Sequence, residues 1–149
     1  MVLNTENKDL ENKYVLFKLD NEYFGLGINN VLSIEKFQDC TRVPNAPVYI
    51  VGVVNLRGEV IPVVDLRKKL NLEFKENDKD TRIIIVKSKE VVVGLVVDLS
   101  SEVLEIDNKN IDKPPATENK KMREYIKGIG KDNERLIILL DLDRLLDLD

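Results

Sequence analysis

The chain is poor in side chains that do covalent chemistry. Its 149 residues include no histidine, which removes the commonest general base and a principal metal ligand. Cys40 is the single cysteine, so neither a thiolate zinc site nor an intrachain disulfide can be assembled. Without histidine, the Ser-His-Asp and Cys-His arrangements are out of reach. Carboxylates are plentiful, with 27 Asp and Glu, yet they fall at the ends of apolar segments and between them, where a solvated surface accounts for them better than an acid/base pair. Gly25-x-Gly27 and Gly128-x-Gly130 are isolated pairs without the rest of a phosphate loop; we read them as bulge or hairpin glycines. The chain is therefore expected to be no enzyme and to need no metal or cofactor, and its function must lie in binding.

Few positions stand out as contacts. Arg57 precedes Gly58 between two apolar runs, a hairpin tip from which a guanidinium can reach a partner carboxylate or simply sit in water. Asp65 and Asp141 each follow an apolar run and precede a Leu, the place of a helix cap. The pairs Lys68-Lys69 and Lys120-Lys121 read as solubilising surface.

The elements that hold these positions are short runs of Val, Ile, Leu, Phe and Tyr, which predict strands. They cover Tyr14–Leu19, Tyr23–Ile28, Val31–Glu35, Val53–Leu56, Val60–Val64, Arg82–Lys87, Val91–Asp98, Glu102–Ile106 and Arg135–Leu140. Pro44 and Pro47 keep Thr41–Pro47 out of any ladder, and Asn45 is placed to cap a helical turn through Tyr49. The polar stretch 71–80 is the clearest linker. Helix is scarce, limited to short turns such as the one predicted over 141–146.

The chain repeats itself. Tyr49-Ile50-x-Gly52 recurs as Tyr125-Ile126-x-Gly128, 76 positions on, and Ile61, Asp65, Leu66 and Leu70 recur at the same spacing as Ile137, Asp141, Leu142 and Leu146. Apolar matches alone arise by chance between β-rich sequences, but the Tyr, Gly and Asp matches share one frame. Earlier in each half, Gly25-Leu26 aligns with Gly94-Leu95, and Val31-Leu32-Ser33-Ile34 with Val103-Leu104-Glu105-Ile106. Duplication predicts two similar β modules of about five strands, each too small to bury much surface alone. Closing each into a barrel removes exposed edges, and packing the two together leaves a groove suited to a partner helix or strand. We expect a mobile tail over 1–13, a first barrel over 14–70, the linker 71–80, and a second barrel over 81–146, with exchange of strands between the halves left open.

The bulk properties agree with a binding module. With 23 Lys and Arg the formal net charge is −4, and neither sign gathers into a block, which argues against nucleic acid and anionic membranes as partners. The polar N-terminus lacks the pattern of a secretory signal, and no apolar run approaches the ~20 residues of a spanning helix. A reducing, cytoplasmic location is expected.

From Val43 to Arg67 the sequence reads Val-Pro-Asn-Ala-Pro-Val-Tyr-Ile-Val-Gly-Val-Val-Asn-Leu-Arg-Gly-Glu-Val-Ile-Pro-Val-Val-Asp-Leu-Arg, which closely resembles the signature of the CheW chemotaxis coupling proteins. Support extends through Val93-Gly94-Leu95-Val96-Val97-Asp98 and Tyr125-Ile126-x-Gly128 to Leu146. The resemblance implies an all-β fold of two packed five-stranded SH3-like barrels. It also implies a non-catalytic adaptor that links chemoreceptor tips to the histidine kinase CheA beneath the inner membrane. Carried over by position, Val31, Ser33, Arg57, Gly94 and Val103 fall where the family engages receptor or kinase, and Ile111, Asp112 and Thr117 where it makes a second kinase contact. Many relatives carry Glu where this chain has Ser33, and the Ile111–Thr117 loop lacks an aromatic anchor. The alternative within the same resemblance is the regulatory domain of a CheA-like kinase or the coupling half of a CheV-type protein.

Overall fold

The structure, a computed structural model, describes residues 11–114 and 120–147. Its strands are β1 (Lys13–Leu19), β2 (Glu22–Gly27), β3 (Val31–Lys36), β4 (Ile50–Leu56), β5 (Glu59–Asp65), β6 (Arg82–Ser88), β7 (Val91–Val97), β8 (Leu99–Glu105), β9 (Ile111–Asp112), β10 (Ile126–Asp132) and β11 (Arg135–Leu140). Three short helices accompany them: α1 (Leu66–Lys69), α2 (Lys120–Tyr125) and α3 (Leu142–Leu145). The hairpin tips carry the backbone that tight turns demand. Asp20, Arg57, Lys89 and Asn133 all have positive φ, and Gly58 follows Arg57 with φ of 88°, as a two-residue turn of right-handed twist requires.

The strands form a five-stranded sheet in the order β3-β6-β7-β5-β4 and a six-stranded sheet in the order β8-β1-β2-β11-β10-β9. Each curls shut by the same device. Past β3 the chain reaches the opposite edge of its sheet, where Thr41 bridges Val53 of β4; past β8 it does likewise, where Asp112 pairs with Ile129 of β10. The sixth strand, β9, is only this two-residue closure.

The two barrels do not divide the chain at the linker 71–80. The β6–β7 hairpin completes the barrel of β3, β4 and β5, while the β1–β2 hairpin completes the barrel of β8 to β11. Each repeat therefore donates its first hairpin to the other. Residues 11–13 of the expected tail are already structured, since Lys13 pairs with Glu105 and Asn12 accepts from the Ile106 amide at 2.8 Å. Residues 1–10 lie outside the described part.

The repeats superpose in detail. Ile50 pairs with Val64 and Gly52 with Val63 across a bulge, as Ile126 pairs with Leu140 and Gly128 with Leu139. The Asp65 amide donates to the Tyr49 carbonyl and that of Asp141 to Tyr125, both at 2.7 Å. Gly94 lies parallel to Val63, and Gly25 to Leu139. In β3 and β8, however, the sequence alignment was displaced. Ile34 pairs with Ile84 as Val103 pairs with Val15, so the counterpart of Val103 is Ile34 and not Val31. Short apolar strings match at several offsets, and only the ladder selects one.

Alternation of side chains sorts the interior into three parts. One small core fills the first barrel, with Val54, Ile61, Val63, Ile83 and Ile85. Its counterpart in the second holds Tyr14, Leu16, Ile106, Ile137 and Leu139. The third and largest lies between the barrels and includes Val15, Phe17, Phe24, Val64, Ile84, Leu95, Ile126 and Leu140. Phe17 and Phe24 stack there with ring centres 5.6 Å apart.

Some expectations fail locally. No helical turn forms over Asn45–Tyr49; Asn45 is left-handed with φ of 62°, and Pro44 and Pro47 withhold the amide donors a helix needs. The charged stretch before Tyr125 ends in α2. The segment 126–132 was not expected as a strand, because Gly128 and Gly130 dilute its apolar pattern.

Candidate partner interface

Asp65 and Asp141 are caps. Asp65 accepts from the amides of Arg67 and Lys68 at 3.0 and 3.4 Å, and Asp141 from that of Arg144 at 3.2 Å. Burial pushes the Cys40 thiol up, with Asp39 adding to the effect. Among the described residues no group of three or more metal-ligating side chains comes together, and no helix is long and apolar enough to cross a membrane.

Two of the sequence-predicted contacts meet at the open mouth of the first barrel. Ser33 on β3 and Arg57 at the β4–β5 tip line a cleft of about 280 Å³ with Leu32, Ile61, Ile85 and Val92. The Arg57 side chain is 71% exposed and lies 3.4 Å from Glu35, also on β3. An exposed pair at that separation contributes only about 0–1 kcal/mol, which leaves the guanidinium ready to change partners. On β3 the usual order is inverted, because Leu32 and Ile34 are exposed at 43% and 39% while Ser33 and Glu35 are half-buried. An apolar row turned to solvent beside a mobile cation is the surface of an interface. Sequence reasoning pointed to the strand Val31–Ile34, with Ser33 singled out, and did not include Glu35. The bulge between Val31 and Ser33 turns the strand, and no local residue pattern announces it.

Val103 occupies the same place on the second barrel as Ile34 on the first, 43% exposed on β8. Ile111 is half-buried, and the exposed Asp112 pairs with Lys131 at 3.2 Å. Thr117 lies outside the described residues. Val31 and Gly94 lie inside: Val31 is 3% exposed in the core between the barrels. Gly94 is likewise buried, in regular pairing with Ile85 and Val63 and without a bulge. A Cβ on Gly94 would stand 2.6 Å from Ile83 Cγ2, so close packing requires the glycine. Both residues are buried where they shape the strands.

A CheW-like domain matches residues 13–149. The chain belongs to the CheW-like family. Among its relatives, the chemotaxis protein CheW of Bacillus subtilis (strain 168) is 38% identical over 135 residues, covering 91% of this chain and 86% of that protein. Chemotaxis protein CheW of Helicobacter pylori is 35% identical over 137 residues, covering 92% and 82%. The crystal structure of the scaffolding protein TtCheW from Thermoanaerobacter tengcongensis superposes with a TM-score of 0.83 at 36% identity, over 93% of this chain and 94% of that one. The family's signature, read from Val43 to Arg67, here forms the loop that closes the first barrel, the β4–β5 hairpin with Arg57 at its tip, and the start of α1.

Proposed function

We propose that this protein is a chemotaxis coupling adaptor, acting without catalysis in the cytoplasm beneath the membrane that holds the receptors. Its partners are the regulatory domain of a CheA-type histidine kinase and the cytoplasmic tip of a chemoreceptor. The carrying observation is the family match over residues 13–149 joined to the exposed apolar row and the exposed, weakly paired Arg57 at one barrel mouth. The first barrel holds the kinase domain through Leu32, Ser33, Ile34 and Arg57. The receptor helix lies against the groove between the barrels, with Val103 on the second barrel contributing. Ile111 and Asp112, at the closing edge of that barrel, make the second kinase contact. A coupler of this kind passes signal as a difference in affinity or geometry between receptor states.

Co-purification with a receptor-tip fragment and a kinase regulatory domain tests the reading. Both should be retained, and Arg57→Asp should weaken kinase capture by about tenfold or more while receptor capture persists. Undiminished capture of the kinase domain by Arg57→Asp removes the assignment of that barrel mouth.

A further inference from the structure

The first barrel carries a second built cleft, distinct from the mouth that holds Ser33 and Arg57. It encloses about 380 Å³ between the signature loop before β4 and the segment joining α1 to β6. Phe37, Val43, Val48 and Phe74 give it apolar walls. Val48 and Phe74 are 78% and 76% exposed, although the backbone beside Phe74 is fastened. The Glu73 carbonyl accepts from Arg67 at 2.8 Å, and Lys75 lies 3.8 Å from Asp98. An aromatic ring left bare on an anchored segment is presented, not merely stranded on a loop. Around it stand Arg42, Lys68 and Lys75. Among the described residues neither Arg42 nor Lys68 forms an ion pair, and the single lining carboxylate, Asp65, is engaged as the cap of α1. On a chain of formal charge −4, this is a local excess of positive charge over an apolar floor.

We infer that this cleft docks a short acidic segment of a partner protein, seating a Phe- or Leu-sized side chain against Phe74 and Val48 while flanking carboxylates meet Arg42, Lys68 and Lys75. Charge complementarity selects the occupant, because a basic or neutral apolar segment would leave Arg42 and Lys68 without a counter-charge, whereas Lys75 is already shared between Asp78 and Asp98. The site is independent of the kinase and receptor surfaces and stands or falls apart from them.

The test uses the full chain and a fluorescein-labelled synthetic peptide in which Phe and Leu are flanked by Asp and Glu, with a twin carrying Lys at each acidic position. Fluorescence anisotropy should show saturable binding of the acidic peptide that weakens as salt rises, and none of its twin. Phe74→Asp, and Arg42→Glu combined with Lys68→Glu, should each weaken binding by about tenfold or more, whereas Arg57→Asp should leave it unchanged. Phe74→Ser serves in place of Phe74→Asp should the latter fail to fold. No saturable binding, equal affinity for the basic twin, or indifference to both Phe74 variants overturns the inference. Sedimentation of the chain alone supplies the last arm: a dimer abolished by Phe74→Ser would assign the cleft to a second copy and overturn the peptide assignment.

Discussion

At one end of the seam between the barrels, α1 of the first barrel reaches the β1–β2 turn of the second; at the other, α3 of the second reaches the β6–β7 turn of the first. The two junctions are related by the repeat, and Arg67 and Asp143 hold equivalent places in them. Their side chains differ in kind. Arg67 is buried at 5% exposure and grips Asp98 with two bonds, Nε to Oδ1 at 2.9 Å and Nη2 to Oδ2 at 2.5 Å, while also donating to Asp20 and to the Glu73 carbonyl. At the opposite junction the Ser88 hydroxyl donates to Asp143. The same asymmetry recurs at Lys69, whose counterpart is the buried Leu145. Lys69 was expected at the surface, yet it is 8% exposed, 4.1 Å from the Tyr49 ring and 5.8 Å from that of Tyr125. Duplication preserved the backbone and the apolar alternation, while the polar contacts across the seam diverged. One end is clamped by a forked cation, and the other carries the shorter, acidic Asp143 in the equivalent place.

Removing the clamp should have the largest effect. Arg67→Ala leaves the half-buried Asp98 without its principal partner, and should cost about 3 kcal/mol, a fall in Tm of roughly 6–12 °C for a chain of this size. Thermal and urea unfolding measure it, and a loss no greater than that of Ser88→Ala would erase the contrast between the junctions. Acid should narrow the same gap. Burial pushes the Asp98 carboxyl up, but the hydrogen bonds from Arg67, the Asp20 amide and the charges of Arg67 and Lys75 together hold it below its ordinary value. A carboxylate so depressed stabilises the fold above its unfolded pKa, about 3.9, and the contribution is lost as pH falls through the lower folded value. Urea midpoints of the parent and of Arg67→Met should therefore differ most near neutrality and converge below about pH 4; a constant difference would place the stabilisation in packing instead. Ser88→Ala should cost least, about 1 kcal/mol, by the same unfolding curves.

Much of this was legible beforehand. The strand runs, the Arg57-Gly58 hairpin, the two aspartate caps and the duplication all follow from local residue types, because each rests on turn chemistry, alternation or a shared frame of Tyr, Gly and Asp. The exchange of hairpins was not, since residues 14–28 pair equally well in pattern with either set of partners and the choice is made by the chain's path. The displacement of β3 against β8 escaped notice because Val, Leu and Ile are interchangeable at neighbouring offsets. Of the proposed contacts, Arg57 and Ser33 lie together at an open mouth, whereas Val31 and Gly94 lie buried. Burial of Val31 depends on strands from both repeats, and that of Gly94 on Ile83 and Val63, which lie in different repeats.

The exchange of hairpins has a consequence for biosynthesis. The β1–β2 hairpin leaves the ribosome well before its sheet neighbours β8 and β11 are made. Until they appear, residues such as Tyr14 and Leu16 have no barrel to enter. The nascent chain thus carries an unfinished apolar hairpin until those strands follow, and neither barrel can mature before both repeats have been made.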